Sequence, residues 1–196
     1  MAFHRVVTVR HGETEWSASG RHTGLTDVPL NDDGRRQAVD AGERLVGARF
    51  TLVLTSPAVR AVETCRLSGY SDGATVEPDA HEWDYGEYEG LTSEEIRERR
   101  PGWWMWRDGC PAGEDAAAVG RRADRVIDRC RSASGDAAVF AHGHFLRVLG
   151  ARWVGNEPTF GQSLLLQTAA ICVLEWEHGV PVIGRWNDTP ALIASS

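Results

Sequence analysis

The chain contains no lysine. All 21 of its basic residues are arginine. A Schiff base needs a primary amine on a side chain, so lysine-dependent aldolase and pyridoxal phosphate chemistry is excluded. A Walker-type phosphate loop needs its lysine and is excluded on the same ground. Cysteine is sparse: Cys65, Cys110, Cys130 and Cys172 stand far apart, with no C-x-x-C pair. That spacing argues against metal ribbons and dithiol redox motifs and predicts free buried thiols. No apolar run approaches ~18 residues, so no transmembrane helix is expected. No basic-then-apolar leader precedes the first strand pattern, and a reducing cytoplasm is the expected compartment. Internal repeats, low-complexity tracts and domain linkers are missing as well. A net charge of -7 offers no global attraction for nucleic acid or anionic lipid, so neither is an expected partner. Any anion must be met by a local cluster of positive groups.

The 196 residues are 42% hydrophobic and 25% charged, close to the soluble globular average. That length predicts one domain over 1–196, with roughly 70% of the unfolded chain's surface buried. Short apolar runs alternate with helical patterns. Val6, Val7 and Val9 predict a buried strand ending at Arg10-His11-Gly12. The segment through Pro29 reads as a loop. Asn31 then caps a helix with Ala38, Ala41, Leu45 and Val46 on one face. Leu52-Val53-Leu54 predicts a second strand, followed by a helix that starts at Pro57 and runs to about Leu67. Val76 sits in a short third strand. Thr92 and Glu95 form a capping box for a helix that stops before Pro101. Helical spacing returns from Asp115 to about Arg131. Ala138 to Ala141 predicts a fourth strand, and Phe145 to Val154 a helix. Ala170–Trp176 and Val180–Trp186 flank a two-residue turn at His178-Gly179. The alternation predicts an α/β fold: a mostly parallel central sheet with helices on both faces, in three layers. A Trp-rich insertion is expected at about 82–113.

In such sheets, ligands bind outside the carboxyl ends of the strands. Three predicted strands deliver polar groups there: Arg10 and His11, then Ser56 with Arg60 one turn on, then His142 and His144. Glu82 lies in a loop able to join them. Guanidinium forks hold phosphoryl oxygens by charge-assisted hydrogen bonds. One imidazole can attack phosphorus, and a second, protonated, can donate to an equatorial oxygen. A carboxylic acid can protonate the departing alkoxide. Together these groups suffice for phosphoryl transfer without a metal or other cofactor.

Arg10-His11-Gly12-Glu13-Thr14 resembles the signature of the histidine phosphatase superfamily, which includes phosphoglycerate mutases and acid phosphatases. Three further segments match in order: Ser56-Pro57 with Arg60-Ala61 and Thr64, Glu82 with Tyr85-Gly86 and Glu89-Gly90, and His142-Gly143 after an apolar strand. The match extends to about Trp153. The resemblance implies a phosphoglycerate mutase-like fold. It makes His11 the nucleophile that becomes phosphohistidine, sets Arg10, Arg60 and His142 around the phosphoryl group, and gives Glu82 the proton transfers. Glu82 then has to start protonated, and His11 neutral at its attacking nitrogen. Both requirements predict an acidic to near-neutral optimum.

Trp16–Gly20, Thr23–Asp27, Trp83–Gly90, Trp106–Cys110 and Phe140–His144 resemble a branch containing fungal sedoheptulose bisphosphatase and actinobacterial broad-specificity acid phosphatases. Candidate substrate contacts are Ser17, His22, Thr23, Gly24, Tyr85, Gly143, His144 and Arg147. The expected partner is a small phosphorylated metabolite, and a homodimer is one assembly the sequence allows. Ser17 stands where phosphoglycerate mutases carry asparagine, and the mutases' lysine in the insertion has no counterpart. Fewer cations favour hydrolysis over a mutase cycle. A metal-independent phosphatase, broad or sugar-(bis)phosphate-directed, is the expected function; a mutase and a non-catalytic phospho-ligand binder are the alternatives. Three local alternatives stay open. His142 with His144 suggests a metal pair, although no carboxylate completes the set. Trp103, Trp104 and Trp106 form a sugar-stacking wall, a small core or a subunit interface. Arg97, Arg99 and Arg100 form a solvated helix face or a lid.

Overall fold

The computed structural model describes residues 3–190. β1 is Val6–Arg10, a run of β-branched residues buried on both faces. The segment after it holds a short helix, α1 (Glu15–Ala18), where the pattern predicts only loop. Thr14 and Ser17 cap it reciprocally: each side-chain oxygen accepts the other's backbone N–H, at 3.1 and 2.9 Å. Serine in the place usually held by glutamate hides this box in the sequence. α2 (Asp32–Arg44) starts on Asn31, whose side chain accepts the Gly34 N–H at 2.8 Å. It stops at Arg44, so Val46 is 82% exposed rather than on the buried face.

β2 (Leu52–Thr55) leads into α3 (Val59–Leu67). Pro57 precedes α3 instead of opening it, and the Asp27 carboxylate accepts the free N–H of Val59 at 2.7 Å. β3 (Thr75–Val76) is two exposed residues. α4 (Ser93–Arg99) carries the expected Thr92/Glu95 box. α5 (Met105–Asp108) and α6 (Ala116–Arg131) follow. β4 (Ala137–Ala141) feeds α7 (Gly143–Trp153), which begins two residues before the predicted start. β5 (Ile171–Glu177) and β6 (Val180–Asp188) close the described chain. Between them His178 and Gly179 have φ of 51° and 82°, the left-handed pair that a type I′ hairpin turn requires.

The six strands form one sheet in the order β3-β2-β4-β1-β5-β6. Pairs β3–β2, β2–β4 and β4–β1 are parallel, while β1–β5 and β5–β6 are antiparallel. The architecture is therefore α/β with a mostly parallel sheet. One face packs Val7, Val9, Val53, Ala138 and Phe140 against Ala41 and Leu45 from α2 and its end and Cys65 from α3. The other packs Val6, Leu54, Ala137, Val139 and Ala141 against Val119, Ala123 and Val126 of α6 and Phe145 and Leu149 of α7. Burying a large apolar side chain contributes about 1.5–3 kcal/mol, so these two layers hold the strands in register. The register places Arg10 opposite Ala141 and Thr55 opposite Phe140. Hence the next residues of three strands, His11, Ser56 and His142, emerge together at one sheet edge.

The aromatic residues of 82–113 extend the core on this second face of the sheet. Trp83, Tyr88, Trp103 and Trp106 are buried, with Trp83 edge-on to Trp106 at 5.5 Å and Tyr88 edge-on to Trp103 at 5.2 Å. Of the three clustered tryptophans only Trp104 is exposed, which favours the small-core account of that cluster. The four cysteines are free and buried. Among the described residues no helix is long and apolar enough to cross a membrane.

Candidate active site

His11 sits at the carboxyl end of β1, 5% exposed. Its backbone is tied on both sides, its N–H donating to Ala141 and its carbonyl accepting from Ala169. Nδ1 lies 2.7 Å from the Gly12 carbonyl. A carbonyl only accepts, so Nδ1 carries the proton and Nε2 keeps its lone pair. Burial holds the ring's pKa well below the ordinary histidine value, and Arg60 and Arg10 push the same way. The imidazole is neutral, with a lone pair free at Nε2. Gly12 is required here: a Cβ would lie 2.2 Å from the Gly34 carbonyl oxygen. The loop after β1 and the start of α2 touch backbone to backbone.

Arg10 donates from Nη1 to the Leu166 carbonyl at 2.6 Å. Its Nε is buried without a partner; among the described residues only Thr8 Oγ1 shares that condition. A buried donor without an acceptor costs about 1–3 kcal/mol, a cost that an anion in the cavity would remove. Burial lowers the pKa of Arg10, opposed by Glu82.

Arg60 is fully buried on α3. Its Nε donates to His142 Nδ1 at 3.2 Å, so His142 holds its proton on Nε2 and donates to Ser56 Oγ at 2.6 Å. Burial and the charges of Arg60 and Arg10 hold His142 well below the usual histidine pKa. The expectation of a protonated second imidazole is thereby corrected: His142 is a neutral N–H donor. With both ring nitrogens taken by protein, it is also unsuited to the suggested metal pair. Among the described residues no group of three or more His, Cys, Asp or Glu is placed to hold a metal. Three further Arg60 N–H groups go to carbonyls of the loop at 23–26: one on Nη1 to Thr26 at 3.0 Å, and two on Nη2 to Thr23 and Gly24 at 3.1 and 2.9 Å.

Glu82 is buried against the first turn of α7. Oε1 accepts the N–H groups of Trp83 and Phe145, each at 2.8 Å, and Oε2 accepts that of His144 at 3.0 Å. Helix N-termini favour negative charge at such a position. Beyond it lies the far wall. The Tyr85 hydroxyl and His144 Nδ1 are hydrogen-bonded at 2.6 Å. Burial raises the Tyr85 pKa well above 10 and, with Arg147, lowers that of His144. The His22 ring tilts against Tyr85 at 4.6 Å and lies 3.2 Å from Ser93 Oγ. Burial and Arg97 pull its pKa down to about 4. Arg147 spans the Gly161 and Gln162 carbonyls and stacks over Trp106 at 4.7 Å.

These residues enclose a cavity of about 190 Å³. Of the thirteen residues singled out in the sequence, ten line it: Arg10, His11, Ser17, His22, Thr23, Glu82, Tyr85, Gly143, His144 and Arg147. Arg60, His142 and Gly24 stand one layer behind it, joined to the lining by the bonds above. Gly20, Arg21 and Leu166 line the cavity without having been singled out. Arg21 and Gly20 adjoin His22 in sequence, a signal that was available. Leu166 acts through its carbonyl on Arg10, and no side-chain pattern marks that role. A larger hollow of about 500 Å³ shares Arg10 and Ser17 with the first and is otherwise lined by residues such as Glu13, Gln37, Asp40 and Gln167. It lacks the histidines, so the smaller cavity is the candidate active site.

A neutral strand-end histidine among arginines defines a class. The sequence profile of the histidine phosphatase superfamily (branch 1) matches residues 6–189. The chain belongs to that superfamily. It is 43% identical over 181 residues to an acid phosphatase of Mycobacterium tuberculosis, covering 90% of this chain and 89% of the relative. It is 39% identical over 183 residues to sedoheptulose 1,7-bisphosphatase of Saccharomyces cerevisiae, covering 77% and 68%. The solved structure of an open reading frame of Mycobacterium tuberculosis superimposes with a TM-score of 0.90 at 42% identity, covering 95% of this chain and 98% of that one.

Proposed function

We propose that the protein is a metal-independent phosphoric monoester hydrolase acting on small polar phosphate esters, sugar (bis)phosphates among them, through a phosphohistidine. One observation carries the reading: Arg10, whose buried Nε has no partner, and the neutral His11 line the same cavity. The guanidinium holds phosphoryl oxygens while the Nε2 lone pair of His11 attacks phosphorus. The bond from phosphorus to the ester oxygen breaks. The Glu82 carboxyl gives a proton to the departing alkoxide and is left as the carboxylate. Water then attacks the phosphohistidine, Glu82 takes its proton, and inorganic phosphate leaves with His11 restored. His142 donates Nε2–H to a phosphoryl oxygen in exchange for Ser56, and Arg60 fixes His142. General acid help contributes typically ~10²–10⁴-fold, and positioning supplies much of the rest.

Arg21 and Arg147 face the alcohol side and suit a second anionic group. The names of the relatives support a sugar-phosphate substrate, and four buried free thiols suit the cytoplasm. The test combines phosphate release with labelling. Incubation with ³²P-substrate should place an acid-labile label on the protein, and His11→Ala should abolish both label and release, a loss on the order of 10⁴-fold or more. Conserved phosphate with dependence on a bisphosphate primer would instead indicate a mutase. Affinity for phosphate without turnover of any ester would indicate a binding module.

A further inference from the structure

Arg60 and Glu89 share no direct hydrogen bond, yet one short loop joins them. Its carbonyls face one way: those of Thr23, Gly24 and Thr26 accept from the Arg60 guanidinium. Its N–H groups face the other. The Gly24 N–H donates to both Glu89 carboxylate oxygens, at 2.9 and 3.0 Å, and the Thr26 N–H donates to Oε1 at 3.2 Å. Gly24 makes this approach feasible, because a Cβ there would lie 2.7 Å from both Glu89 Oε2 and the Trp83 carbonyl oxygen. Asp27 pins the same loop to the start of α3 by accepting the Val59 N–H.

We propose that Glu89 is a positioning residue for the phosphoryl-transfer site. By taking the N–H side of the loop it turns the carbonyl side toward Arg60, and the guanidinium so held presents Nε–H to His142. The negative charge of Glu89 sits at the far end of a line of oriented peptide dipoles whose carbonyl ends meet the positive charge of Arg60. Charge-assisted bonds at both ends are stronger than neutral ones, so the loop is drawn taut between them. A buried guanidinium with this many protein acceptors has one geometry rather than several, which is what preorganised electrostatic stabilisation requires. The role rests on the phosphatase reading above for its kinetic consequence, but not for its structural one.

The experiment therefore has two arms. In the full-length protein, side-chain N–H exchange of Arg60 is followed by ¹⁵N NMR, with no substrate involved. Glu89→Ala should speed exchange at Arg60 Nε at least tenfold, while Glu89→Gln, which keeps one acceptor oxygen, should fall between. Unchanged exchange in both variants would overturn the proposal. In the second arm, hydrolysis of p-nitrophenyl phosphate is measured in Glu89→Ala, Arg60→Ala and the double variant. A 10- to 100-fold loss in kcat/KM from Glu89→Ala, shrinking below threefold in the Arg60→Ala background, supports the coupling. An equal loss in both backgrounds would overturn it. If Glu89→Ala does not fold, Glu89→Gln carries both arms. If unmutated protein releases no phosphate, the function fails while the exchange arm still decides the position of Arg60.

Discussion

The two ends of the cavity are built by different means. At the end proposed for the phosphate, His11 and, one layer behind it, Ser56 and His142 follow directly from the ends of adjacent parallel strands, and the register of β1, β4 and β2 fixes their spacing. At the alcohol end, His22, Tyr85, His144 and Arg147 are held by ring packing and carbonyl contacts in and around residues 82–113. One end is held by main-chain pairing that any α/β sheet supplies. The other depends on which side chains fill an aromatic core, so chemistry and selectivity are able to vary separately.

Glu82 stands at the boundary and tests the division most strongly. Glu82→Gln should lower kcat/KM, which reports the steps through transfer to His11, by ~10²–10⁴-fold on alkyl phosphates and much less on p-nitrophenyl phosphate, whose leaving group needs no proton. Equal losses on both esters, measured by steady-state kinetics, would remove the acid role. Acid stability probes the alcohol end next. Burial holds His22 near 4 in the fold, against about 6.5 when unfolded. Between those values the unfolded chain binds the proton and the folded one does not, so stability falls as pH drops from 6.5 toward 4. The contribution reaches roughly 3 kcal/mol. His22→Phe should flatten the drop in urea midpoint between pH 7 and 4.5 relative to the parent, and an unaltered slope would assign the acid sensitivity elsewhere. His11, lowered well below 6.5 as well, should keep the acid limb of kcat/KM well under that pH. The smallest effect is expected from Arg147→Ala: about a tenfold rise in KM for a bisphosphate, with kcat on p-nitrophenyl phosphate within twofold of the parent. A matching fall in that kcat would mean that the two ends are not separable.

The same contrast explains what the sequence discloses. Short apolar runs ending in Arg10-His11, Ser56 and His142 are visible because strand ends and ligand crevices coincide. Glu82 is visible through its neighbours Tyr85 and Gly86. Arg21 was overlooked because a half-exposed arginine in a glycine-rich loop resembles any solvated one. Leu166 was overlooked because only its backbone acts. The charge state of His142 was misjudged because it depends on burial and two guanidinium groups that only the folded chain brings near. Val46 was misplaced because helical periodicity continues past the residue where the backbone leaves the helix.

Gly12 resting on Gly34 has a practical meaning for anyone wishing to redirect this protein toward new esters. A contact between two main chains leaves no side chain to trim and no room to add one, so these positions belong outside any mutational library. Variation is better spent on Arg21, His22 and Arg147, which line the cavity and reshape what enters without disturbing the imidazole that waits for it.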